Sequence, residues 1–128
     1  MNKITLSKPP SVNRLYKPRF VKGKLGIIMD KIGKDWTEIA GWEIKRHQMY
    51  GKSQNQPAIK KDVAVNIILY TCQKQDLDNV AKIVLDLLQK QSVIENDEQV
   101  MELHMHKVRV QDKKYEKLEL EWNLYKKN

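Results

Sequence analysis

Residues 76–99 read DLDNVAKIVLDLLQKQSVIENDEQ, and the interpretation of the remaining chain depends on this stretch. Its apolar residues recur at the i, i+3, i+4, i+7 and i+8 spacing of a helix face that packs on a core. The stretch therefore predicts an amphipathic helix whose buried face consists of Val80, Ile83, Val84, Leu87 and Leu88.

Three carboxylates accompany the predicted helix. Asp76 and Asp78 stand at its start, and Asp97 follows beyond a short connection. A chain that returns along the helix would bring Asp97 back towards the other two, while Lys82 shares a helix face with Asp78. Mg2+ prefers oxygen ligands and keeps several waters, so carboxylates open to phosphate suit it. The pattern favours a metal site for phosphate chemistry.

A purely structural interpretation of the same residues stays open. Asp and Asn are common at helix N-caps and first turns, which would explain Asp78 and Asn79 without a metal. In the metal interpretation, Asp76, Asp78 and Asp97 hold the cation. Lys82 then stabilises charge on the phosphate, or helps to orient and deprotonate water.

The composition is that of one globular domain spanning residues 1–128. Charged residues make up 31% and apolar residues 41% of the chain. The apolar run Val63 to Tyr70 is far shorter than the ~20 residues of a membrane span, and the N-terminus lacks a signal-peptide apolar region. The single cysteine, Cys72, excludes an internal disulfide and is expected as a small buried strand residue. We expect a cytoplasmic protein with no membrane association.

The net charge of +8 is concentrated near the N-terminus. Residues 1–34 contain nine Lys or Arg and one Asp, whereas the basic and acidic residues that follow balance each other. Such a segment attracts a polyanion through phosphate contacts, although a solvated basic surface without a partner is an alternative. Residues 11–20 are expected as a loop that contacts DNA, with Tyr16 and Phe20 equally compatible with core packing. The residues expected to contact DNA are Asn13, Arg14, Tyr16, Lys17, Arg19, Lys22 and Lys24.

The other periodicities predict one more helix and several strands. The helix is expected from about Lys34 to Tyr50, with Trp36 and Trp42 packed in the core, although Gly41 weakens it. Alternating patterns predict strands over residues 3–7, 62–71, 100–110 and 117–125.

We expect the strand at 62–71 to be central because both of its faces are largely apolar. The last two strands are expected to form a hairpin with one buried and one wet face. The predicted class is α+β, a single domain with a mixed or mainly antiparallel sheet covered by helices. His104 and His106 would project to one side of their strand, but no third ligand for a transition metal is evident.

Two motifs resemble the RusA-type Holliday junction resolvases of bacteria and their phages. PPSVNRLYKP at residues 9–18 is similar to that family's N-terminal PPS-x-N-x-x-Y signature, so Asn13, Arg14 and Tyr16 match positions for which DNA contact is implied. DLDNVAKIVLDLL at residues 76–88, followed by DEQ at residues 97–99, is similar to its acidic core. The motifs follow the family's order across most of the chain.

The resemblance implies a RusA-like fold and a homodimeric, Mg2+-dependent endonuclease, with Mn2+ as a possible substitute. Such an enzyme nicks two opposing strands of a four-way DNA junction symmetrically. Asp76, Asp78 and Asp97 match the family's essential carboxylates, and Lys82 matches its catalytic lysine. A two-fold dimer suits this substrate because one nick does not resolve a junction.

The chain departs from the family pattern before the second acidic motif. KQSVI replaces a connection that often contains glycine, and the family's paired acidic residues are Asn96 and Asp97 here. The number of metals and a helper role for Glu95 therefore stay open. Two other functions also stay open: a non-enzymatic module that binds branched DNA, and a metal nuclease that acts on other branched or single-stranded nucleic acid.

Overall fold

The computed structural model of the protein describes residues 2–10, 16–21, 24–29, 31–50 and 57–126. In chain order the elements are β1 (Asn2–Leu6), β2 (Tyr16–Val21), β3 (Lys24–Met29), α1 (Lys31–Tyr50), β4 (Val63–Thr71), α2 (Leu77–Lys90), β5 (Val100–Arg109) and β6 (Lys117–Leu124). Four strands form a mixed sheet in the order β1-β6-β4-β5, and β2 pairs with β3 in a separate two-stranded sheet. The predicted α+β class is confirmed.

Strand β4 lies inside the sheet, as predicted. It pairs antiparallel with β6 on one side and parallel with β5 on the other. Every second residue is fully buried, from Val63 through Ile67 to Thr71, while the residues between them are half-buried. The strand therefore presents one face to the core.

Both helices cover that face of the sheet. The predicted apolar face of α2 is buried throughout, and it shares a core with Trp36, Ala40 and Ile44 of α1 and with the buried residues of β4. Full burial of one such aliphatic side chain contributes about 1.5–3 kcal/mol, which exceeds what a surface ion pair supplies. Packing on the sheet thus determines how α2 is oriented. Neither described helix is long and apolar enough to cross a membrane.

The prediction that Trp42 packs in the core is wrong. Trp36 is buried and donates its indole N–H to the Ser7 carbonyl at 2.9 Å, but the Trp42 side chain is 69% exposed. Helical geometry explains the difference, since Ala40 and Ile44 define the core side of α1, and Trp42 lies two residues from both and so points away.

The predicted hairpin between the last two strands is also wrong. Strand β4 lies between β5 and β6, because β4, α2 and β5 form a parallel crossover and the chain then passes the end of β4 to reach β6. Strand β5 is an edge strand with no buried face, and Met101 and Leu103 are 53% and 39% exposed. Only β6 has the expected buried side.

Part of the N-terminal segment predicted as a loop forms strands. Tyr16–Val21 pairs antiparallel with Lys24–Met29. The apolar residues at 25 and 27–29 belong to the partner strand that extended residues at 16–21 need. Residues 11–15 lie outside the described part of the chain.

A cluster of polar groups holds the carboxyl end of β4. Glu116 accepts hydrogen bonds from the Thr71 hydroxyl at 3.0 Å, the Cys72 amide at 2.9 Å and the Cys72 thiol at 3.3 Å. The Lys8 ammonium lies 3.5 Å away, and both charged side chains are nearly buried. Cys72 is half-buried just beyond β4, not the buried strand residue predicted. The cluster joins three distant segments of the chain.

The Glu116 cluster shifts two pKa values in opposite directions. Partial burial pushes the pKa of Glu116 upward, but hydrogen bonds from Cys72 and Thr71 and the charge of Lys8 outweigh it, so the pKa lies below the usual glutamate value. Burial, together with the hydrogen bond to the Glu116 carboxylate and its charge, raises the pKa of the Cys72 thiol. Glu116 is therefore ionised and Cys72 is a thiol at neutral pH.

We predict that Glu116→Gln lowers the free energy of unfolding by about 1–3 kcal/mol at pH 7, because charge-assisted hydrogen bonds are lost. A lowered native pKa stabilises the fold at neutral pH, and this contribution disappears as the pH falls through the native pKa. The difference in the free energy of unfolding between the wild type and Glu116→Gln should therefore become smaller at pH values below the ordinary titration range of glutamate.

Urea unfolding at several pH values measures this difference. The exposed Glu98 is the matched control, and Glu98→Gln should change stability by less than about 0.5 kcal/mol. A pH-independent difference between the wild type and Glu116→Gln would contradict the assigned charge state.

Candidate active site

Asp76 and Asp78 lie where β4 ends and α2 begins. Asp76 occupies the N-cap position with extended backbone (φ −80°, ψ 130°), and its carbonyl accepts from the Val80 amide at 3.3 Å. Its side chain makes no capping hydrogen bond, and Asp78 lies inside the first helical turn, so neither carboxylate acts as the N-cap group. Both residues are exposed. Two carboxylates thus face solvent at the positive end of α2.

Lys82 follows one turn later on the exposed side of α2. The i, i+4 spacing places it on the same helix face as Asp78. The described geometry therefore brings together three of the four residues that the sequence predicts for catalysis. Asp78 and Lys82 lie on the exposed side of a helix whose opposite side is buried in the core, and Asp76 is exposed just before its first residue.

Asp97 lies at the other end of α2. Its backbone amide donates to the side-chain oxygen of Gln89, in the last turn of the helix, at 3.1 Å. A helix of this length spans about 20 Å. The start of β5 just after Asp97 also pairs with the first residue of β4, whereas Asp76 follows the last. In one chain, Asp97 does not return to Asp76 and Asp78.

The described residues contain no group of three His, Cys, Asp or Glu side chains that could hold a metal ion. The separation of Asp97 from the other two carboxylates accounts for this. The exposed pair of Asp76 and Asp78 supplies hard oxygen donors of the kind that Mg2+ prefers, but within a single chain the predicted donor set is incomplete.

Two amide side chains build the turn that presents Asp97. Asn96 accepts from the Glu98 amide at 2.9 Å, and Gln99 accepts from the Glu95 and Asn96 amides at 2.8 Å each, which together form a capping box. Asn96, which stands where the resembling family has an acidic residue, thus has a structural role here. The Asn-x-x-Gln spacing is a sequence signal for this turn.

Gln99 also ties the Asp97 turn to the chain entering β4. Its side-chain NH2 group donates to the Ile59 carbonyl at 2.6 Å and to the Lys61 carbonyl at 2.8 Å. All donor and acceptor groups of this amide are used. Gln99 is therefore a positioning residue for Asp97.

Gln75 joins the N-terminal motif to the acidic motif. Its side-chain NH2 group donates to the Pro9 carbonyl at 3.0 Å and to the Pro10 carbonyl at 3.2 Å, and the residue is only 5% exposed. Its side-chain oxygen is buried without a partner among the described residues. The start of the PPS motif consequently lies next to Asp76.

The structure describes only some of the residues that are predicted to contact DNA. Asn13, Arg14 and Lys22 lie outside the described residues. The rest belong to the two-stranded sheet, with Tyr16, Lys17 and Arg19 in β2 and Lys24 in β3.

Sequence patterns do not reveal Gln75 or Glu116, whose partners lie more than 40 residues away. Contacts between residues so far apart leave no local spacing pattern in the sequence.

His104 and His106 line a shallow depression with Asn66 and Glu121, and His104 lies 3.3 Å from Glu102. Within the described ranges they acquire no third metal ligand.

Comparison with known proteins identifies the family of this chain. The family model described as endodeoxyribonuclease RusA matches residues 9–121, from the first proline that Gln75 holds to the middle of β6. A crossover junction endodeoxyribonuclease RusA from Aquifex aeolicus (strain VF5) is 32% identical over 97 residues, covering 74% of this chain and 69% of the relative. The chain belongs to the RusA family of endodeoxyribonucleases.

Proposed function

We propose that the chain is a Mg2+-dependent endonuclease that resolves four-way DNA junctions by paired symmetric nicks, with Mn2+ as a possible substitute. The observation that carries the proposal is the position of Asp76, whose carboxylate points to solvent from an N-cap without capping the helix. An exposed carboxylate that does not cap its helix can bind a cation instead. The relative from Aquifex aeolicus, named for crossover junctions, supports the substrate.

Asp76 and Asp78 would hold the cation from the start of α2. When bound, a divalent cation supplies charge neutralisation at the phosphate and lowers the pKa of a coordinated water. Lys82, one turn further along, is placed to stabilise negative charge that builds on the phosphate. The buried side of α2 keeps these three groups in fixed relative positions, which reduces the reorganisation that the reaction requires.

A homodimer would complete the site. Asp97 lies about one helix length from Asp76 in its own chain, so a shared ligand set requires Asp97 of a second copy. A two-fold axis that brings Asp97 of one subunit to Asp76 and Asp78 of the other does so twice, because the contact is reciprocal. Two identical sites would then face the two strands of a junction.

The N-terminal segment, residues 1–34, would contact the DNA beside this centre. Gln75 holds Pro9 and Pro10 next to Asp76, and the basic residues of β2 and β3 follow from there. Their charge matches the phosphate backbone. A cytoplasmic location agrees with the free cysteine, Cys72.

We expect Asp78→Asn to abolish cleavage of a synthetic four-way junction in Mg2+ while junction binding survives, because the amide loses the ligand charge. A denaturing gel with a labelled junction measures nicking, and a gel shift without metal measures binding. Asp86→Asn, an exposed change on the same helix, is the control. Undiminished nicking by Asp78→Asn would rule out a metal-binding role for Asp78. If the wild type cuts linear or single-stranded DNA at the same rate as junctions, the protein is a nuclease of broader selectivity.

Lys82→Ala should slow single-turnover cleavage by about 100-fold or more, the usual scale of a lost electrostatic or general acid–base group, with a much smaller effect on junction affinity. Rapid-quench kinetics at saturating enzyme separates the two effects. A normal single-turnover rate would remove Lys82 from the catalytic machinery.

Mixing two inactive variants tests the shared site. If Asp97 acts on the partner's centre, dimers of Asp78→Asn with Asp97→Asn contain one site with both changes and one intact site. Random exchange of subunits should then restore about a quarter of the sites. The restored product should be a singly nicked junction, which a native gel separates from the duplexes that resolution produces.

The control for this mixture is Asp76→Asn with Asp78→Asn, which alter the same half of the site and should not complement each other. If Asp78→Asn and Asp97→Asn form mixed dimers, shown by native mass spectrometry, and no nicking returns, the shared site is refuted.

A further inference from the structure

A second basic feature lies on the helical side of the molecule, away from Asp76 and Asp78. A groove of about 600 Å³ runs between α1 and the end of α2, and its lining includes Lys34, Glu38, Trp42, Lys45, Lys90 and Gln91. Three ammonium groups and one carboxylate leave the groove positively charged. The proposed cleavage chemistry uses none of these residues.

Trp42 is the main aromatic surface of the groove. Its side chain is 69% exposed, although an indole ring contributes most to stability when it is buried. The Lys45 ammonium lies 5.9 Å from the ring centroid, close enough for a weak cation–π contact. Much of the ring stays open to solvent, so an aromatic ligand has a stacking surface beside a cation.

Gly41 shapes the floor of the groove. A β-carbon at this position would overlap the side-chain amide of Gln91, so the glycine leaves room for that amide against α1. The Gln91 side-chain oxygen is buried without a hydrogen-bond partner among the described residues. For a ligand, the groove therefore offers the cations and the exposed Trp42 ring.

We propose that this groove binds an unpaired nucleotide of the DNA substrate, with the base stacked on Trp42 and the neighbouring phosphates at Lys34, Lys45 and Lys90. Aromatic stacking combined with a basic track is how proteins hold single-stranded DNA. A paired base in a linear duplex has no free face for the ring. The contact therefore selects DNA that exposes unpaired bases.

The groove lies at the Asp97 end of α2, since Lys90 follows Gln89, whose side chain accepts from the Asp97 amide. It is thus about one helix length from Asp76 of the same chain. The inference depends on the family's action on DNA and not on which residues bind metal. Binding measured without metal consequently tests it separately from cleavage.

Fluorescence offers a direct test, because the other two tryptophans, Trp36 and Trp122, are buried. Acrylamide quenching should report mainly on Trp42. Single-stranded oligothymidylate in EDTA should protect the fluorescence from quenching, while an equal concentration of linear duplex should protect it much less. Trp42→Phe should remove the protected component.

Affinity measurements provide the second readout. Trp42→Ala should weaken binding of single-stranded oligothymidylate by about 5- to 150-fold, the range found for one lost stacking contact, and Trp42→Tyr should recover most of it. Lys45→Gln or Lys90→Gln should lower the salt dependence, the slope of log K against log salt, by roughly 0.7. Ile39→Ala, a change of another exposed apolar residue on α1 outside the groove, is the matched control and should bind normally.

Two results would overturn the proposal. One is unchanged affinity and quenching protection in Trp42→Ala, with folding confirmed by circular dichroism. The other is a Trp42→Ala protein that changes from dimer to monomer by light scattering, which would assign the groove to contact between copies of this chain. If DNA binding depends on Trp42 but the protein does not cleave junctions, the proposed function is refuted and the assignment of the groove still holds.

Discussion

The apolar contact between α2 and β4 determines where every predicted catalytic group lies. Both elements bury one continuous side in the same core, and the loss of that contact would cost more than any polar interaction on the surface. Because the strand runs one way and the helix returns, the residues before α2 and those after it lie at opposite ends of the unit. Asp76 and Asp97 are separated for this reason, and the proposed homodimer would reunite them.

Polar side chains then refine the positions that the core leaves free. Glu116 fastens the end of β4, Gln75 holds the N-terminal prolines beside it, and Gln99 fixes the Asp97 turn to the start of the same strand. Each contact joins segments that are far apart in sequence. The Gln99 amide uses all its donor and acceptor groups and Glu116 accepts three hydrogen bonds, whereas the Gln75 side-chain oxygen is buried without a partner among the described residues. Polar networks of this kind favour one arrangement of the backbone. The exposed carboxylates are thereby presented from rigid supports.

The proposed chemistry and the basic groove occupy different ends of α2. The acidic end presents Asp76 and Asp78, while the other end carries Lys90 beside Trp42 and the Asp97 turn. In a two-fold dimer with shared sites, the groove of one subunit would lie on the same side as the cleavage centre of the other. DNA that reaches a cleavage centre would then meet cations and an aromatic ring from the partner subunit.

The sequence alone determined the local elements and the chemistry they can carry. The periodicity of residues 76–99 predicted the buried face of α2 correctly, and the alternation at 63–71 identified the central strand, because both patterns arise from contacts with one core. The motifs were sufficient to identify the family and its DNA substrate class.

The tertiary structure alone decided which elements are neighbours. Alternation in β5 and β6 could not show that β4 lies between them. The sequence around Trp42 did not show which side of α1 packs on the sheet, and the structure places Trp42 on the exposed side. The sequence likewise could not give the distance between Asp97 and Asp76. That distance depends on the parallel pairing of β4 with β5, two strands that are far apart in the chain. Short-range periodicity reports which side of an element is apolar, whereas strand order and the separation of sites depend on contacts between residues far apart in the chain.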